Sequence, residues 1–199
     1  MQYINLFPTP LFIDLNKDLA LEILPVANEY IDSLGSKYLG QNNYLSTYNI
    51  NDAGVKQQTD KRLDKLTLFL KNSARKYFSD HCIDSSKWKL EPYYLFNKIK
   101  SGGAHPPHTH PECILSGCFY LKIPENSSNI VFNDPRGYFK HIYYPPIFGS
   151  MSDKYSLLPE YAIVPQEGMI LMWPSWLEHQ VPTSVISEER IVVAFNLNV

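Results

Sequence analysis

The spacing of hydrophobic residues changes after Lys89. Before this point the pattern favours an N-terminal strand followed by helices, and after it short apolar runs typical of strands follow one another. The first helix is predicted to begin at Asn16 or Asp18, since both side chains can cap a helix, and to end near Leu34. Pro25 lies inside this pattern and predicts a kink or break there.

A second helix is predicted over about residues 60–80. Its apolar residues fall close to a 3.6-residue period and would form one buried face. These residues are Leu63, Leu66, Leu70, Ala74, Tyr77 and Phe78. Basic side chains lie largely off this stripe and are interpreted as its solvated face. The polar stretch 36–58, between the helices, is predicted to be mostly loop with a short strand near Tyr44–Tyr48.

Six apolar runs in the second half are predicted to be strands. They cover residues 90–100, 113–123, 129–134, 161–165, 168–174 and 190–199. Many short strands after helices favour a β-rich α+β fold, a jelly roll with the N-terminal helices packed on its sheet. We expect a single domain over 1–199, in which 1–88 supports a core formed by 89–199. The segment 135–160 is too long for a hairpin loop and is interpreted as a lid.

Composition narrows the class of protein. Apolar residues make up 44% and charged residues 19% of the 199 positions, as in ordinary globular proteins. The net charge of −2 gives no electrostatic reason to expect nucleic acid or an anionic membrane as a partner. No run approaches the roughly 18 apolar residues of a membrane span. Cys82, Cys113 and Cys118 lack CxxC spacing and are odd in number, which indicates reduced thiols in a cytosolic protein.

Three of the six histidines fall in the stretch HPPHTHP. In extended chain, residues i and i+2 project to the same side, so His108 and His110 can direct two imidazoles at one ion. His179, just after an apolar strand in WPSWLEHQVP, is the candidate third ligand. Imidazole suits Fe, Zn, Cu or Ni. The alternative is that HxH is only a polar strand end. His105 is followed by two prolines and is less suited to share this face.

Arg190 begins the last apolar strand, eleven residues beyond His179. Its side chain could simply be exposed at the strand end. Alternatively, it points into the barrel, where a planar guanidinium would pair in two-pronged fashion with a carboxylate and hold an anionic cosubstrate.

A known family shares these residues within a longer pattern. The blocks HTHPECILSGCFYLKIP, FNDPR and PQEGMILMWPSWLEHQVPTSVISEERIVVAFN resemble the 2-oxoglutarate/Fe(II) oxygenases of marine bacteria and cyanobacterial phages. The pattern of that family is HxHP…SGxYYL…FPSWLxH…R…FN. The opening LFPTPLF is similar to the family as well, so the resemblance covers most of the chain. More distantly, the chain resembles prolyl hydroxylases.

The resemblance implies a cupin-like double-stranded β-helix with iron at its open mouth, in the cytosol of a bacterium or a phage-infected host. The implied enzyme is a dioxygenase that uses Fe(II), O2 and 2-oxoglutarate. It would hydroxylate a peptidyl proline, an amino acid or a small metabolite and release succinate and CO2. His108 and His179 would occupy the two histidine positions of the iron site, and Arg190 would bind the distal carboxylate of 2-oxoglutarate. Tyr120 and Asn97 would contact the cosubstrate, although Tyr120 fits a core position equally well.

Two departures from the wider superfamily affect this interpretation. The first is His110, which stands where most members have an Asp. The iron then has three histidine ligands, or a carboxylate arrives from elsewhere. The candidates for such a carboxylate are Glu112, Asp134 and Glu178. We favour His110, because HxH belongs to the pattern of this family. The second departure is Val192, where many relatives place a Ser, so another hydroxyl such as that of Tyr120 would complete the carboxylate pocket.

Two other functions fit the same residues. One is a non-catalytic, cupin-like metal-binding module, and the other is a three-histidine iron dioxygenase that does not use 2-oxoglutarate. Trp173, Trp176 and Phe195 are expected to line or support the pocket, or to be ordinary core aromatics. The sequence leaves the oligomeric state open, a homodimer included.

Overall fold

The structure, a computed structural model, describes residues 8–33, 43–47, 58–136 and 160–198. The elements that lie wholly within these residues include the α-helices α1 (Lys17–Asp32) and α2 (Asp64–Asp80) and a 3-10 turn (Lys61–Leu63) ahead of α2. Ten strands lie within these residues as well. They are β1 (Phe12–Leu15), β2 (Tyr44–Ser46), β3 (Glu91–Ile99), β4 (His105–His108), β5 (Leu115–Lys122), β6 (Ile130–Asn133), β7 (Glu160–Ile163), β8 (Met169–Pro174), β9 (His179–Val181) and β10 (Arg190–Asn198).

The strands form two antiparallel sheets. The larger sheet has the order β1-β8-β5-β10-β3-β2, and the smaller has the order β4-β9-β6-β7. From β3 onward the chain crosses repeatedly between them, since β3, β5, β8 and β10 belong to the larger sheet and the strands between them belong to the smaller one. This crossing is the pattern of a jelly roll. It confirms the predicted β-rich α+β fold, and β1 and β2 extend the two edges of the larger sheet.

The two faces of the larger sheet bury different sets of residues because side chains alternate along a strand. On β5, Phe119 and Leu121 pack with the apolar faces of α1 and α2 in a helix-side cluster. Cys118 and Tyr120 face the opposite way, into an interior cluster between the sheets. The remaining members of the interior cluster are Ile130, Phe132, Ile163, Met169, Leu171, Trp173, Leu177 and Val192. The helices therefore support one face of the sheet, and the other face is left for the interior of the barrel.

Helix α1 begins as predicted and is not broken. The Asn16 side chain accepts a hydrogen bond from the Leu19 backbone N–H at 3.1 Å, which makes Asn16 the cap. The helix ends at Asp32, two residues before the predicted end, and Pro25 lies inside it. A proline leaves the carbonyl four residues earlier without its helical partner. That carbonyl belongs to Leu21, which is 64% exposed. Water can therefore solvate the carbonyl, and the helix continues past Pro25.

Helix α2 confirms the predicted buried face. All six apolar residues of the predicted stripe are buried. The basic residues off this stripe lie at the surface, and two of them reach α1. Arg62 forms an ion pair with Glu29 at 2.7 Å, and Lys65 forms one with Glu22 at 2.7 Å. Exposed pairs of this kind contribute little stability, so the apolar face is what holds α2 in place.

The six predicted strands of the second half are all present, within a few residues of their predicted bounds. The prediction missed β4 and β9, because the histidine segments were taken to border strands and instead form them. Both are too short for an alternating pattern, and β4 contains two prolines. The predicted strand near Tyr44–Tyr48 is present as β2. Most of the predicted lid, residues 137–159, lies outside the described residues. In the described part of the chain, no helix is long and apolar enough to cross a membrane.

Candidate metal centre

Three histidine rings converge at one end of the smaller sheet. The pairing of β4 with β9 places His108 directly opposite His179. His110 follows β4, and its backbone N–H donates to the Ser175 carbonyl at 3.0 Å. One ring nitrogen from each of the three histidines lies within 4.8 Å of those of the other two. Strand pairing and this backbone hydrogen bond thus bring together donors from two distant stretches of sequence.

Backbone carbonyls set the protonation of two of the rings. His179 Nδ1 lies 2.9 Å from the Leu177 carbonyl, and His108 Nδ1 lies 2.8 Å from the Pro106 carbonyl. A carbonyl only accepts, so each Nδ1 carries the proton and each Nε2 of a neutral ring keeps its lone pair. The Nε2 atoms of His110 and His179 are 3.3 Å apart. Two nitrogens bound to one ion at about 2.1 Å each would have a separation of this order.

Burial keeps these imidazoles neutral. It lowers the pKa of His179 to about 3 and that of His110 to about 4, and it lowers the pKa of His108 as well. Neighbouring histidines lower the pKa of His179 and His110 further. Only a neutral imidazole can coordinate a metal. At neutral pH, a metal ion would therefore not compete with protons for these three nitrogens.

The carboxylates considered from the sequence stand apart from this group. Within the described residues, the group of converging ligand atoms consists of the three histidines and contains no carboxylate. Glu178 accepts a hydrogen bond from the Asn133 side chain, and it acts on His108 through its charge, which raises the pKa of that ring. Asp134 binds Arg136 at 2.6 Å. Glu112 is exposed and has a positive φ of 67°.

His105 lies beside the histidine group as a packing residue. Its ring centroid is 4.0 Å from that of His108, with the rings edge to face, and 5.2 Å from that of Tyr44. Burial lowers the pKa of His105 to about 4. The ring therefore stays neutral and packs against His108.

Arg190 is buried at the start of β10, with only 4% of its surface exposed. Its Nη1 donates to the Ser128 carbonyl, and its guanidinium carbon lies 5.1 Å from the centroid of the Tyr120 ring. Its Nε has no hydrogen-bond partner among the described residues. Among the described residues no carboxylate forms an ion pair with Arg190, and a buried guanidinium without such a partner is expensive.

Three residues predicted to surround the cosubstrate form one row across the larger sheet. Val192 is paired with Asn97 on one side and with Tyr120 on the other, so all three side chains share the interior face. The Asn97 Oδ1 is buried without a hydrogen-bond partner in the described part of the chain, and the buried Tyr120 hydroxyl lies near the Cys118 thiol and the Arg190 guanidinium. Burial raises the pKa of Tyr120 well above its ordinary value, so its hydroxyl remains a donor. Unpartnered buried polar atoms of this kind favour a polar ligand.

Tyr44 was missed in the sequence. It is paired with Ile99, which is itself paired with Arg190. Tyr44 interacts electrostatically with Arg190, and its ring contacts His105. It therefore connects the arginine to the histidine group. No signal in the sequence identified it, because its position depends on the register of a strand of three residues.

The aromatic residues expected near the pocket separate into three environments. Trp173 belongs to the interior cluster and lies 4.7 Å from the His179 ring, centroid to centroid. Phe195 packs in the helix-side cluster, because alternation along β10 turns it away from the interior. It is therefore an ordinary core aromatic, the second of its two predicted roles. Trp176 is 56% exposed.

Comparison with known families decides the class of protein. The family described as "Putative 2OG-Fe(II) oxygenase" matches residues 95–196, just over half of the chain. The chain belongs to this family. The match includes all three histidines and Arg190, and it confirms the resemblance found in the sequence. As a 2OG-Fe(II) oxygenase, the protein is an oxidoreductase, and the cofactors of its family are Fe(II) and 2-oxoglutarate.

Solved structures of similar fold support the same architecture. A prolyl-4-hydroxylase of Pseudomonas putida aligns with a TM-score of 0.62 at 11% identity, over 95% of this chain and 92% of that one. The α-ketoglutarate-dependent carbocyclase SnoK from nogalamycin biosynthesis aligns with a TM-score of 0.64 at 11% identity, over 95% and 79%. HygX from Streptomyces hygroscopicus, with nickel, 2-oxoglutarate and hygromycin B bound, aligns with a TM-score of 0.55 at 12% identity, over 96% and 83%.

These similarities confirm the double-stranded β-helix. Their identities are too low to transfer a substrate or a residue role to this 2OG-Fe(II) oxygenase. A search of curated proteins gave no significant match.

Proposed function

We propose that the protein is an Fe(II)- and 2-oxoglutarate-dependent dioxygenase that hydroxylates a C–H bond, with His108, His110 and His179 as the iron ligands. The observation that carries this proposal is the convergence of three neutral imidazoles within 4.8 Å of one another. Imidazole is a suitable ligand for Fe(II), and two of the rings are already held with Nε2 free by backbone carbonyls.

Arg190 is the proposed partner of the distal carboxylate of 2-oxoglutarate. Its burial, its unpartnered Nε and the nearby Tyr120 hydroxyl support this role. The guanidinium would pair with the carboxylate, and the protonated Tyr120 hydroxyl would donate to it. Since Val192 cannot supply a hydroxyl from the same row, Tyr120 is the nearest replacement.

The three-histidine set has an electrostatic consequence. A 2-His-1-carboxylate site lowers the charge of Fe(II) from +2 to about +1, whereas three neutral rings leave it at +2. The dianionic cosubstrate then supplies all the negative charge at the metal. We expect this site to depend on 2-oxoglutarate for charge balance more strongly than a carboxylate-containing site.

The chain itself supplies position and a dry environment. When bound, Fe(II) and 2-oxoglutarate supply the oxidising chemistry, in which one atom of O2 enters the substrate as a hydroxyl and the other enters succinate as CO2 is released. Trp173 and Phe132 pack against His179 and would help to exclude water from the site. The substrates proposed for screening are a peptidyl proline, an amino acid and a small metabolite.

A three-histidine dioxygenase that does not use 2-oxoglutarate is the second candidate, because the ligand group contains no carboxylate among the described residues. The buried Arg190 favours the first candidate, since an enzyme without a diacid cosubstrate has no evident use for it.

An anaerobic spectroscopic titration separates these functions. Adding Fe(II) and then 2-oxoglutarate should produce a weak visible charge-transfer band, and admitting O2 should produce succinate. His179→Ala should abolish the band. His81→Ala is the matched control, because His81 is exposed and its Nδ1 binds the Tyr77 carbonyl at the end of α2. Fe(II) binding without a band or succinate would instead support the second candidate.

A further inference from the structure

The indole N–H of Trp173 is buried without a hydrogen-bond partner. Only 2% of the residue is exposed, and its Nε1 finds no acceptor among the residues that the structure describes. An indole nitrogen is a donor only, and leaving such a donor unsatisfied inside a protein is costly. A bound molecule that presents an oxygen lone pair inside the barrel would satisfy this donor.

Trp173 lies immediately beside the histidine group. Its ring is 4.7 Å from that of His179 and 5.0 Å from that of Phe132, in edge-to-face contacts. It extends from the interior side of β8, in the same cluster as Tyr120 and Val192. The unpartnered N–H is therefore in the compartment that contains the proposed cosubstrate site, and not on the helix side of the sheet.

The polar groups nearest to Trp173 along the sheet are already used by one another. Ser116 is paired with Trp173 on one side and with Asn196 on the other. The Ser116 hydroxyl donates to Asn196 Oδ1 at 2.7 Å, and it forms a second hydrogen bond with the Ser175 hydroxyl at 3.0 Å. These hydrogen bonds do not include Trp173, so its neighbours in the sheet do not supply an acceptor for the indole N–H.

We propose that Trp173 Nε1–H donates a hydrogen bond to 2-oxoglutarate, at the end of the cosubstrate bound beside the three histidines. The inference rests on the proposed function and extends it. Arg190 and Tyr120 would hold one carboxylate, and Trp173 would hold the opposite end of the same molecule. Trp173 is then a binding residue with a polar role, beyond its role as a core aromatic.

Two substitutions test the N–H separately from the ring. Trp173→Phe removes the donor and part of the ring, and replacement of Trp173 by benzothienylalanine removes the donor and keeps the shape. The protein is loaded with Co(II) in the absence of O2, and binding of 2-oxoglutarate is measured by calorimetry. Both changes should weaken 2-oxoglutarate binding about tenfold, the loss expected for one hydrogen bond to a charged group. Affinity for Co(II) alone should stay within about twofold.

The control is Trp88→Phe, because Trp88 packs against Phe78 on the helix side of the sheet; it should leave both affinities unchanged. The inference is overturned if both Trp173 variants bind 2-oxoglutarate as tightly as the wild type, or if they lose Co(II) affinity to the same extent. Failure of the proposed function gives a different result, in which the wild-type protein binds Co(II) but not 2-oxoglutarate. If the wild-type protein binds 2-oxoglutarate and Arg190→Met weakens that binding, the proposed cosubstrate site stands. Unchanged binding in the Trp173 variants would then contradict only the role of Trp173.

Discussion

His108 and His179 lie directly opposite each other on the antiparallel strands β4 and β9. Their relative position is therefore set by backbone pairing and does not depend on a bound ion. The carbonyls of Pro106 and Leu177 orient the two rings in the same way, each through Nδ1. The proposed site is thus organised before metal binding, which makes the contribution of each ligand measurable by substitution.

His110→Ala should weaken Fe(II) or Co(II) binding by about 100-fold, because it removes one of three converging nitrogens. Glu178→Gln should change the affinity by less than about threefold, since this carboxylate acts on His108 only through its charge. Titration of Co(II), followed by its visible absorption, measures both. The reverse result, with His110→Ala tolerated and Glu178→Gln damaging, would place a carboxylate in the coordination sphere.

Arg190→Met should raise the KM for 2-oxoglutarate by 100-fold or more, because a charged hydrogen-bonded pair is lost in a buried site. Arg190→Lys should recover part of this loss, since the charge remains and the fork geometry does not. Succinate formation at varied 2-oxoglutarate measures the effect. Arg62→Met, which removes a surface ion pair with Glu29, is the control. An unchanged KM in Arg190→Met would show that the cosubstrate binds elsewhere.

The metal-free protein should lose stability as the pH falls from about 6.5 to about 4. Burial lowers the pKa of His179 to about 3 in the folded protein, whereas an unfolded histidine titrates near 6.5. The unfolded chain therefore binds more protons in this window, and acid favours unfolding. His179 alone should lower the free energy of unfolding by about 1 kcal/mol at about pH 5.5.

Urea unfolding at a series of pH values measures this slope. His179→Asn should flatten it, because the substituted side chain does not titrate. A free energy of unfolding that is level from pH 7 to pH 5 in the metal-free wild type would contradict the prediction.

Gly117→Ala should destabilise the protein by about 2 kcal/mol, through overpacking. A Cβ at this position of β5 would lie 2.3 Å from the Phe195 ring and 2.5 Å from the Leu171 carbonyl oxygen. Urea unfolding measures the loss, and adding Phe195→Leu should restore part of it by removing the ring. Wild-type stability in Gly117→Ala would mean that the sheet adjusts freely at this position.

Local patterns predicted the helices and the long strands. Leu63 and Leu66 follow a helical period, and the apolar runs that form β5 and β10 are long enough to identify as strands. HxH in extended chain indicated that His108 and His110 could face one point, because that geometry requires only two neighbouring residues. These features depend on interactions within one element, so the sequence carries them directly.

Features that depend on the pairing of distant strands were not predictable in the same way. The proximity of Tyr44 to Arg190 follows from the register of β2 on β3 and of β3 on β10. The lack of an acceptor for Trp173 depends on hydrogen bonds that its cross-strand neighbour makes elsewhere. The choice between pocket and core stayed open for Phe195, because an aromatic in a strand does not show which face of the sheet is covered by helices.

The two helices and the edge strands β1 and β2 all precede the segment that matches the family, residues 95–196. A chain trimmed to that segment would keep every proposed ligand. It would also leave the apolar outer face of the larger sheet uncovered and would expose the outer edges of β8 and β3, which β1 and β2 now cover. Bare faces and open edges promote self-association. The segment that contains the proposed ligands therefore depends on the N-terminal helices and edge strands to prevent self-association.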